Sequence, residues 1–140
     1  MNITILSIGN KMPSWIKSGY EEYAKRLSHE HKINLIELAK PDDMLKKIVA
    51  QKNKNYIIAL DEHGELLNTK TFAHKLETIG KDITFLIGEA EGLSPDCKSK
   101  ADTVWSLSSL TFPHMLVRVI LIEQLYRAFS LLKNHPYHRE

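Results

Sequence analysis

Short apolar runs alternate along this chain with stretches in which apolar residues recur at helical spacing. The middle runs are continuous, which is typical of strands buried on both faces of a parallel sheet. Each of five runs is followed by a segment with helical character. This order predicts an α/β fold with a mostly parallel sheet and helices on both faces, in a single domain over residues 1–140. The predicted strands cover residues 2–8, 33–38, 56–60, 83–87 and 104–107.

Two predicted elements bear on function. The third strand is expected to end in a turn at Asp61-Glu62-His63-Gly64. The last helix, expected over residues 113–132, is apolar around most of its circumference. A helix of this kind must be buried on more than one side. In a chain this small, the second surface is expected to belong to another subunit, which predicts a homodimer.

Composition and charge limit the classes of function. The 140 residues are 43% hydrophobic and 26% charged, as in ordinary globular proteins. A net charge of +2 is too small to indicate nucleic-acid binding by bulk electrostatics. Cys97 is the one cysteine, so no intrachain disulfide can form. No secretory signal is visible, and the most apolar run is interrupted by Arg118, so we expect a cytoplasmic protein without a membrane segment.

Three loops follow the carboxyl ends of predicted strands, where open α/β sheets bind ligands. They cover residues 60–64, 88–92 and 107–114, and they offer glycine backbone, hydroxyl groups and carboxylates. This chemistry suits a ligand with an adenine and a ribose, held largely by main-chain groups. No dinucleotide-binding or Walker-type phosphate motif is present. On local pattern alone, Gly88 and Gly92 are equally well explained as ordinary turn glycines.

Several reactive side chains have simpler structural interpretations. His135 and His138 lack a cysteine partner, and Pro136 breaks any helical face between them, so we expect no metal site. Cys97 has no neighbouring base and is interpreted as an inert thiol. His114 is interpreted as a residue at a helix start. Glu123 and Arg127 have the spacing of a helical i,i+4 ion pair.

The carboxyl-terminal tail is unusual because it concentrates polar and aromatic groups after an apolar helix. It reads Asn134-His135-Pro136-Tyr137-His138-Arg139-Glu140. One interpretation is a solvated end that frays, as most termini do. The other is an ordered tail in which Tyr137 stacks on a base and Arg139 binds a phosphate or a carbonyl.

Several motifs, in the same order along the chain, resemble the RlmH family of bacterial ribosomal RNA methyltransferases. The resemblance covers essentially the whole chain and is strongest after Phe85. The motifs are Gly9…Lys11-Met12-Pro13…Trp15, Leu86-Ile87-Gly88…Glu91-Gly92-Leu93-Ser94-Pro95, Trp105-Ser106-Leu107-Ser108 with Leu110-Thr111 and Pro113-His114, Leu116-Val117-Arg118, Glu123-Gln124-Leu125-Tyr126-Arg127-Ala128, and the tail from Asn134 to Glu140.

The resemblance implies a SPOUT-type α/β fold with a carboxyl-terminal trefoil knot, and a homodimer. It implies methyl transfer from S-adenosyl-L-methionine to N3 of a pseudouridine in helix 69 of 23S rRNA, within the assembled 70S ribosome. Tyr137, His138 and Arg139 would complete the active site, beside the partner subunit's cofactor. The cofactor-binding residues carried over by position are Leu60, Gly88, Leu107, Ser108, Ser109, Leu110, Thr111 and Phe112.

One departure from the family pattern affects the cofactor loop. Many relatives carry Gly-Gly-Pro-Glu-Gly where this chain has Gly88-Glu89-Ala90-Glu91-Gly92. If the second position requires a positive φ, Glu89 is expected to be strained. Two other functions stay open. One is a ribosome-binding dimer without catalysis, whose methyl-donor site is spoiled by Glu89, and the other is a related knotted methyltransferase with a different RNA target.

Overall fold

The protein forms a five-stranded parallel sheet with helices packed on both faces. Its structure is a computed structural model and describes residues 1–139, so Glu140, the last residue of the tail motif, lies outside the described residues. In chain order the elements are β1 (Asn2–Ile8), α1 (Ser14–Leu27), β2 (Lys32–Leu38), α2 (Pro41–Gln51), β3 (Tyr56–Leu66), α3 (Thr69–Ile79), β4 (Ile83–Ile87), α4 (Pro95–Lys100), β5 (Thr103–Ser106) and α5 (His114–Leu132).

The strands lie in the order β2-β1-β4-β3-β5, with every pair parallel. Two separate apolar clusters show how the layers are arranged. One joins a face of the sheet to α1, α3 and α5, and the other joins the opposite face to α2 and α4. Parallel pairing throughout places the carboxyl ends of β3, β4 and β5 at the same edge, so the three loops predicted to bind a ligand converge there.

Local signals place several helix ends. The Asn68 side chain accepts a hydrogen bond from the Thr71 amide at 2.8 Å, and it caps the start of α3. Gly80 ends that helix in the left-handed conformation, with φ of 61°. Ser94 caps α4 in the same way through the Cys97 amide, and Pro95 occupies the first helical position.

The prediction that β3 ends in a turn was wrong in part. The strand leaves its pairing after Leu60 and resumes it at Glu65, and both residues pair with Trp105 of β5. The four residues between them form a bulge at the sheet edge, which is why the sequence looked like a turn. Glycine at position 64 lets β3 approach β5 again, because a Cβ there would lie 2.7 Å from the Val104 carbonyl oxygen. β5 itself begins and ends one residue earlier than predicted.

Helix α5 packs between α1 and α3 over the sheet. Leu121, Ile122, Leu125 and Ala128 are fully buried there. Its apolar circumference is therefore explained in large part by neighbours within the same chain, and the homodimer stays a prediction.

None of the helices in the described part of the chain combines the length and the apolar character needed to cross a bilayer.

Candidate functional site: a cleft at the carboxyl edge of the sheet

A cleft of about 340 Å³ lies where the chain leaves β3, β4 and β5. The residues that line it come from the β3 bulge, the loop after β4, the loop after β5, and the starts of α4 and α5. They are Leu60, Asp61, Glu62, His63, Ile87, Gly88, Glu89, Ala90, Glu91, Gly92, Lys98, Leu107, Ser108, Leu110, Thr111, Phe112, His114 and Val117. Such a volume is in the range of small-molecule sites, about 300–1,000 Å³.

Seven of the eight residues predicted to bind the cofactor line this cleft, and Ser109 does not. The hydroxyls of Ser106, Ser108 and Thr111 have protein partners. Ser106 donates to the Ser108 carbonyl oxygen at 2.8 Å, and the Ser108 hydroxyl accepts from the Leu110 amide at 2.9 Å. Thr111 donates to a Glu62 carboxylate oxygen at 2.9 Å. The loop after β5 is therefore shaped by its own hydroxyls, and it meets the β3 bulge through Thr111.

The loop after β4 folds back tightly on itself. A Cβ on Gly88 would lie 2.4 Å from the Gly92 carbonyl carbon, so the loop can close only around glycine. The Gly92 amide donates to the Glu89 carbonyl oxygen at 2.8 Å, and Gly92 has φ of 91°. Among the described residues, Asn53 and Asn134 are the non-glycine positions with positive φ. The condition under which Glu89 would be strained is therefore not met, since the left-handed position in this loop belongs to Gly92.

The sequence reasoning gave no individual role to several residues of the cleft. Asp61, Glu62 and His63 belong to the predicted ligand-binding loop 60–64, and the bulge, rather than a turn, brings them to the cleft wall. Lys98 carried no signal, because its position depends on how α4 packs. His114 is the first residue of α5, as interpreted, and it also lines the cleft.

A buried arginine fixes one side of this region. The Arg118 side chain is fully buried and donates to the Ser7 hydroxyl at 2.9 Å, to the Gly9 carbonyl oxygen at 2.8 Å and to the Glu37 carboxylate at 2.6 Å. These contacts join α5 to the carboxyl end of β1 and to β2. Gly9 has φ of 112°, a conformation that favours glycine, and a Cβ there would also lie 2.7 Å from the terminal carbon of Met115 on α5.

The tail is ordered against the middle of α5. The Tyr137 hydroxyl lies 3.1 Å from a Glu123 carboxylate oxygen and 3.2 Å from the Tyr23 hydroxyl. Burial, and then the hydrogen bond to Tyr23, raise the pKa of Tyr137 above its usual value, so this group stays protonated at neutral pH. Arg127 lies over the Tyr137 ring at 4.8 Å, and its guanidinium is 3.2 Å from His138 Nδ1.

Glu123 and Arg127 form the predicted i,i+4 pair, with an Nε to Oε1 distance of 2.8 Å. This pair also holds the tail, because one partner contacts Tyr137 and the other contacts both Tyr137 and His138. The alternative of a frayed tail therefore fails for Tyr137 and His138. Arg139 remains exposed beyond them.

The tail and the cleft lie at different places along α5. The helix starts at the cleft with His114, whereas the tail packs on Glu123, nine residues further along. At a rise of about 1.5 Å per residue, the two points are roughly 13 Å apart along the axis. No residue after Val117 lines the cleft within the described range of the chain.

The Cys97 thiol and the possible metal ligands bear on two of the simpler interpretations. Cys97 is buried, and its sulfur lies 3.7 Å from the Pro41 carbonyl oxygen, so it is a packing group of the second apolar cluster. Across residues 1–139, no three His, Cys, Asp or Glu side chains are close enough together to hold a metal ion.

Comparison with known proteins identifies the family. Residues 1–138 match the family model described as "Predicted SPOUT methyltransferase". The chain is 42% identical to "Ribosomal RNA large subunit methyltransferase H" of Methylobacillus flagellatus, over 100% of both chains. It is 46% identical to the protein of the same name from Coxiella burnetii, over 99% of this chain and 100% of that one. The chain belongs to the RlmH family of SPOUT methyltransferases.

A solved structure supports the fold of this RlmH family member. The crystal structure of the SpoU methyltransferase AviRb from Streptomyces viridochromogenes, in complex with AdoMet, is similar with a TM-score of 0.54 and 13% identity. The match covers 91% of this chain and 57% of AviRb. The family model and the two relatives confirm the resemblance to the RlmH family, and the family model and the AviRb structure confirm the SPOUT fold. The trefoil knot agrees with the observed strand order and remains a prediction.

Proposed function

We propose that this chain is a cytoplasmic S-adenosyl-L-methionine-dependent methyltransferase that acts as a homodimer on N3 of a pseudouridine in helix 69 of 23S rRNA, in the assembled 70S ribosome. The observation that carries the proposal is the cleft at the carboxyl edge, formed by the loops in which the family motifs lie. Membership of the RlmH family supports the substrate class.

The residues of the cleft fit the proposed cofactor. Apolar side chains from Leu60, Leu107 and Phe112 offer a surface for an adenine ring. Glu89 and Glu91 place negative charge in the cleft, which favours a ligand with a cationic sulfonium. When bound, S-adenosyl-L-methionine supplies the electrophilic methyl group.

The nucleophile is an imide nitrogen, and its lone pair becomes available once the N3 proton is lost. The remaining negative charge is shared with the flanking carbonyl oxygens. An exposed cation such as Arg139 would stabilise this charge, and the Glu123–Arg127 pair would place it by holding Tyr137 and His138. His138, His114, Glu91 and water are the candidate proton acceptors. Attack by nitrogen needs no covalent cysteine, which agrees with the buried position of Cys97.

The separation between tail and cleft supports the predicted dimer. In a single chain the tail packs on the middle of α5, away from the residues that line the cleft. A tail that serves the cleft of the partner subunit would bring Arg139 to the methyl group, and each dimer would then hold two composite sites.

The test is methylation of purified 70S ribosomes that lack this modification, with the methylated nucleotide mapped afterwards. Wild-type protein should modify N3 of the helix 69 pseudouridine. Arg139→Ala should lose about a hundredfold or more in kcat while binding the cofactor normally, since one charge-stabilising donor is worth roughly 10²–10³. Lys54→Ala, which removes an exposed positive charge from the connection between α2 and β3, is the control.

The outcomes separate the remaining alternatives. A methylated nucleotide elsewhere in the RNA would favour a related methyltransferase with another target. Ribosome binding without any methylation would favour a binding protein, although the strain at Glu89 that motivated this alternative is absent. Full activity of Arg139→Ala would remove Arg139 from the mechanism.

A further inference from the structure

Two oppositely charged side chains in the cleft have no role in the function proposed so far. Asp61 follows directly on the regular part of β3, and its side chain is 11% exposed. Lys98 lies on α4, and its side chain is 36% exposed. Both line the cleft, on the side formed by the β3 bulge and the loop after β4.

Their ion pair is loose. Lys98 Nζ lies 3.9 Å from Asp61 Oδ1, beyond the usual N–O hydrogen-bond length of about 2.7–3.2 Å. The other oxygen, Asp61 Oδ2, accepts a hydrogen bond from the His63 amide at 3.1 Å. Asp61 Oδ1 accepts no hydrogen bond from any residue in the range 1–139. Both the ammonium of Lys98 and this oxygen of Asp61 therefore keep bonding capacity toward the cleft.

The space in front of Asp61 is kept open by glycine. A Cβ on Gly92 would lie 3.5 Å from Asp61 Oδ1, so a side chain at this position would cover the carboxylate. The φ of 91° at Gly92 further disfavours any larger residue. A carboxylate that is largely buried, with one oxygen turned toward a cleft, favours a cationic ligand group.

We infer that Asp61 and Lys98 together bind the amino-acid end of the cofactor. Lys98 binds the carboxylate of the cofactor, and Asp61 binds the α-ammonium of the cofactor. The inference rests on the proposed use of S-adenosyl-L-methionine. An α-amino acid carries its two opposite charges on groups bonded to one carbon, and the opposite charges of Asp61 and Lys98 also lie close together, 3.9 Å apart. The apolar lining from Leu107 to Val117 is left for the adenine. Charge-assisted hydrogen bonds of this kind orient a ligand as well as hold it.

Calorimetry with three nucleosides tests this assignment on the full chain. S-adenosyl-L-methionine and S-adenosylhomocysteine both carry the amino-acid end, whereas 5′-methylthioadenosine lacks it. Lys98→Met should weaken binding of the first two by about tenfold, the effect of losing one charge-assisted hydrogen bond, and should leave methylthioadenosine binding unchanged. Asp61→Asn, which can still accept from the His63 amide, should show the same selectivity.

Lys100→Met is the matched control, because Lys100 lies on the same helix but outside the cleft lining. It should bind all three nucleosides like the wild type. An equal loss of all three by Lys98→Met or Asp61→Asn, or no loss of any, would overturn the inference while leaving the proposed function intact. A wild-type protein that binds none of the nucleosides would overturn the cofactor assignment and the inference together.

Discussion

Replacing Arg118 with Met should destabilise the protein far more than a typical surface substitution. The methionine side chain fills part of the same space but provides no donor. Arg118 is fully buried and holds three oxygen acceptors, on Ser7, Gly9 and Glu37, besides a weaker contact with the Met12 sulfur. The change therefore removes the contacts that join α5 to the carboxyl ends of β1 and β2.

Removal of each of the three contacts lowers the free energy of unfolding by a different amount. Ser7 is fully buried, so a hydroxyl left there without its partner costs about 1–3 kcal/mol. The Glu37 side chain is 34% exposed, so water replaces much of its lost contact. Gly9 is also only partly buried. Adding about 1 kcal/mol for these two gives an expected loss of about 3 kcal/mol, below the roughly 3–5 kcal/mol that follows when a fully buried charge is left unpaired.

Urea unfolding at fixed protein concentration measures this loss, because association would otherwise contribute to the apparent stability. Glu37→Gln and the double variant complete a thermodynamic cycle, and we expect a coupling of about 1–2 kcal/mol between the two positions. A loss of unfolding free energy below about 1 kcal/mol for Arg118→Met, or strict additivity with Glu37→Gln, would refute the argument that these contacts hold α5 against β1 and β2.

Three further predictions follow from other contacts. The Tyr20 hydroxyl is buried without a hydrogen-bond partner among the described residues, and burial raises the pKa of Tyr20 to about 12, so the stability of the protein should fall as pH rises from 10 to 12. Tyr20→Phe should raise the free energy of unfolding by about 1 kcal/mol at pH 8 and should reduce the loss of stability at alkaline pH. Burial, and then the charge of the amino terminus, lower the pKa of His31, so the stability that neutral His31 contributes should be lost as pH falls below about 6.5. Unfolding of His31→Phe should therefore depend less on acid pH than unfolding of the wild type or of the control His29→Gln, whose histidine is exposed. Equal acid dependence of all three proteins would contradict this. Tyr137→Phe removes the hydrogen bonds to both Glu123 and Tyr23, whereas Tyr23→Phe removes only the bond between the two tyrosines. The kcat should therefore fall about tenfold for Tyr137→Phe and less for Tyr23→Phe, with cofactor affinity unchanged in both variants. Equal losses of kcat would show that the bond to Glu123 does not matter.

The fold could be predicted from the sequence because its signals are local and agree with one another. Continuous apolar runs such as 83–87 indicate parallel strands, and Ser94-Pro95 indicates a helix start. The β3 bulge was missed because its signal is non-local. Only the renewed pairing of Glu65 with Trp105 distinguishes a bulge from a turn, and that pairing depends on a strand that comes forty residues later.

The candidate site was predictable where the chain must bend and unpredictable where side chains meet across elements. The loop after β5 was identified from its hydroxyls, although those of Ser106 and Ser108 bind within the segment itself and that of Thr111 binds Glu62 of the β3 bulge. Lys98 and Asp61 have no pattern that links them, since only the packing of α4 beside the bulge brings them to one cleft. The role of the Glu123–Arg127 pair in holding the tail was hidden for the same reason.

The position of α5 has a consequence for the synthesis of the protein. This helix is made after all five strands, yet it covers the sheet between α1 and α3, and its Arg118 binds Ser7, which precedes it by 111 residues. A nascent chain that already contains all five strands still exposes one apolar face of its sheet until residues 114–132 are available. Contacts between such distant positions form slowly, and an uncovered sheet is prone to aggregate. We therefore expect the core to close only after residues 114–132 have left the ribosome, with chaperones protecting that face until then.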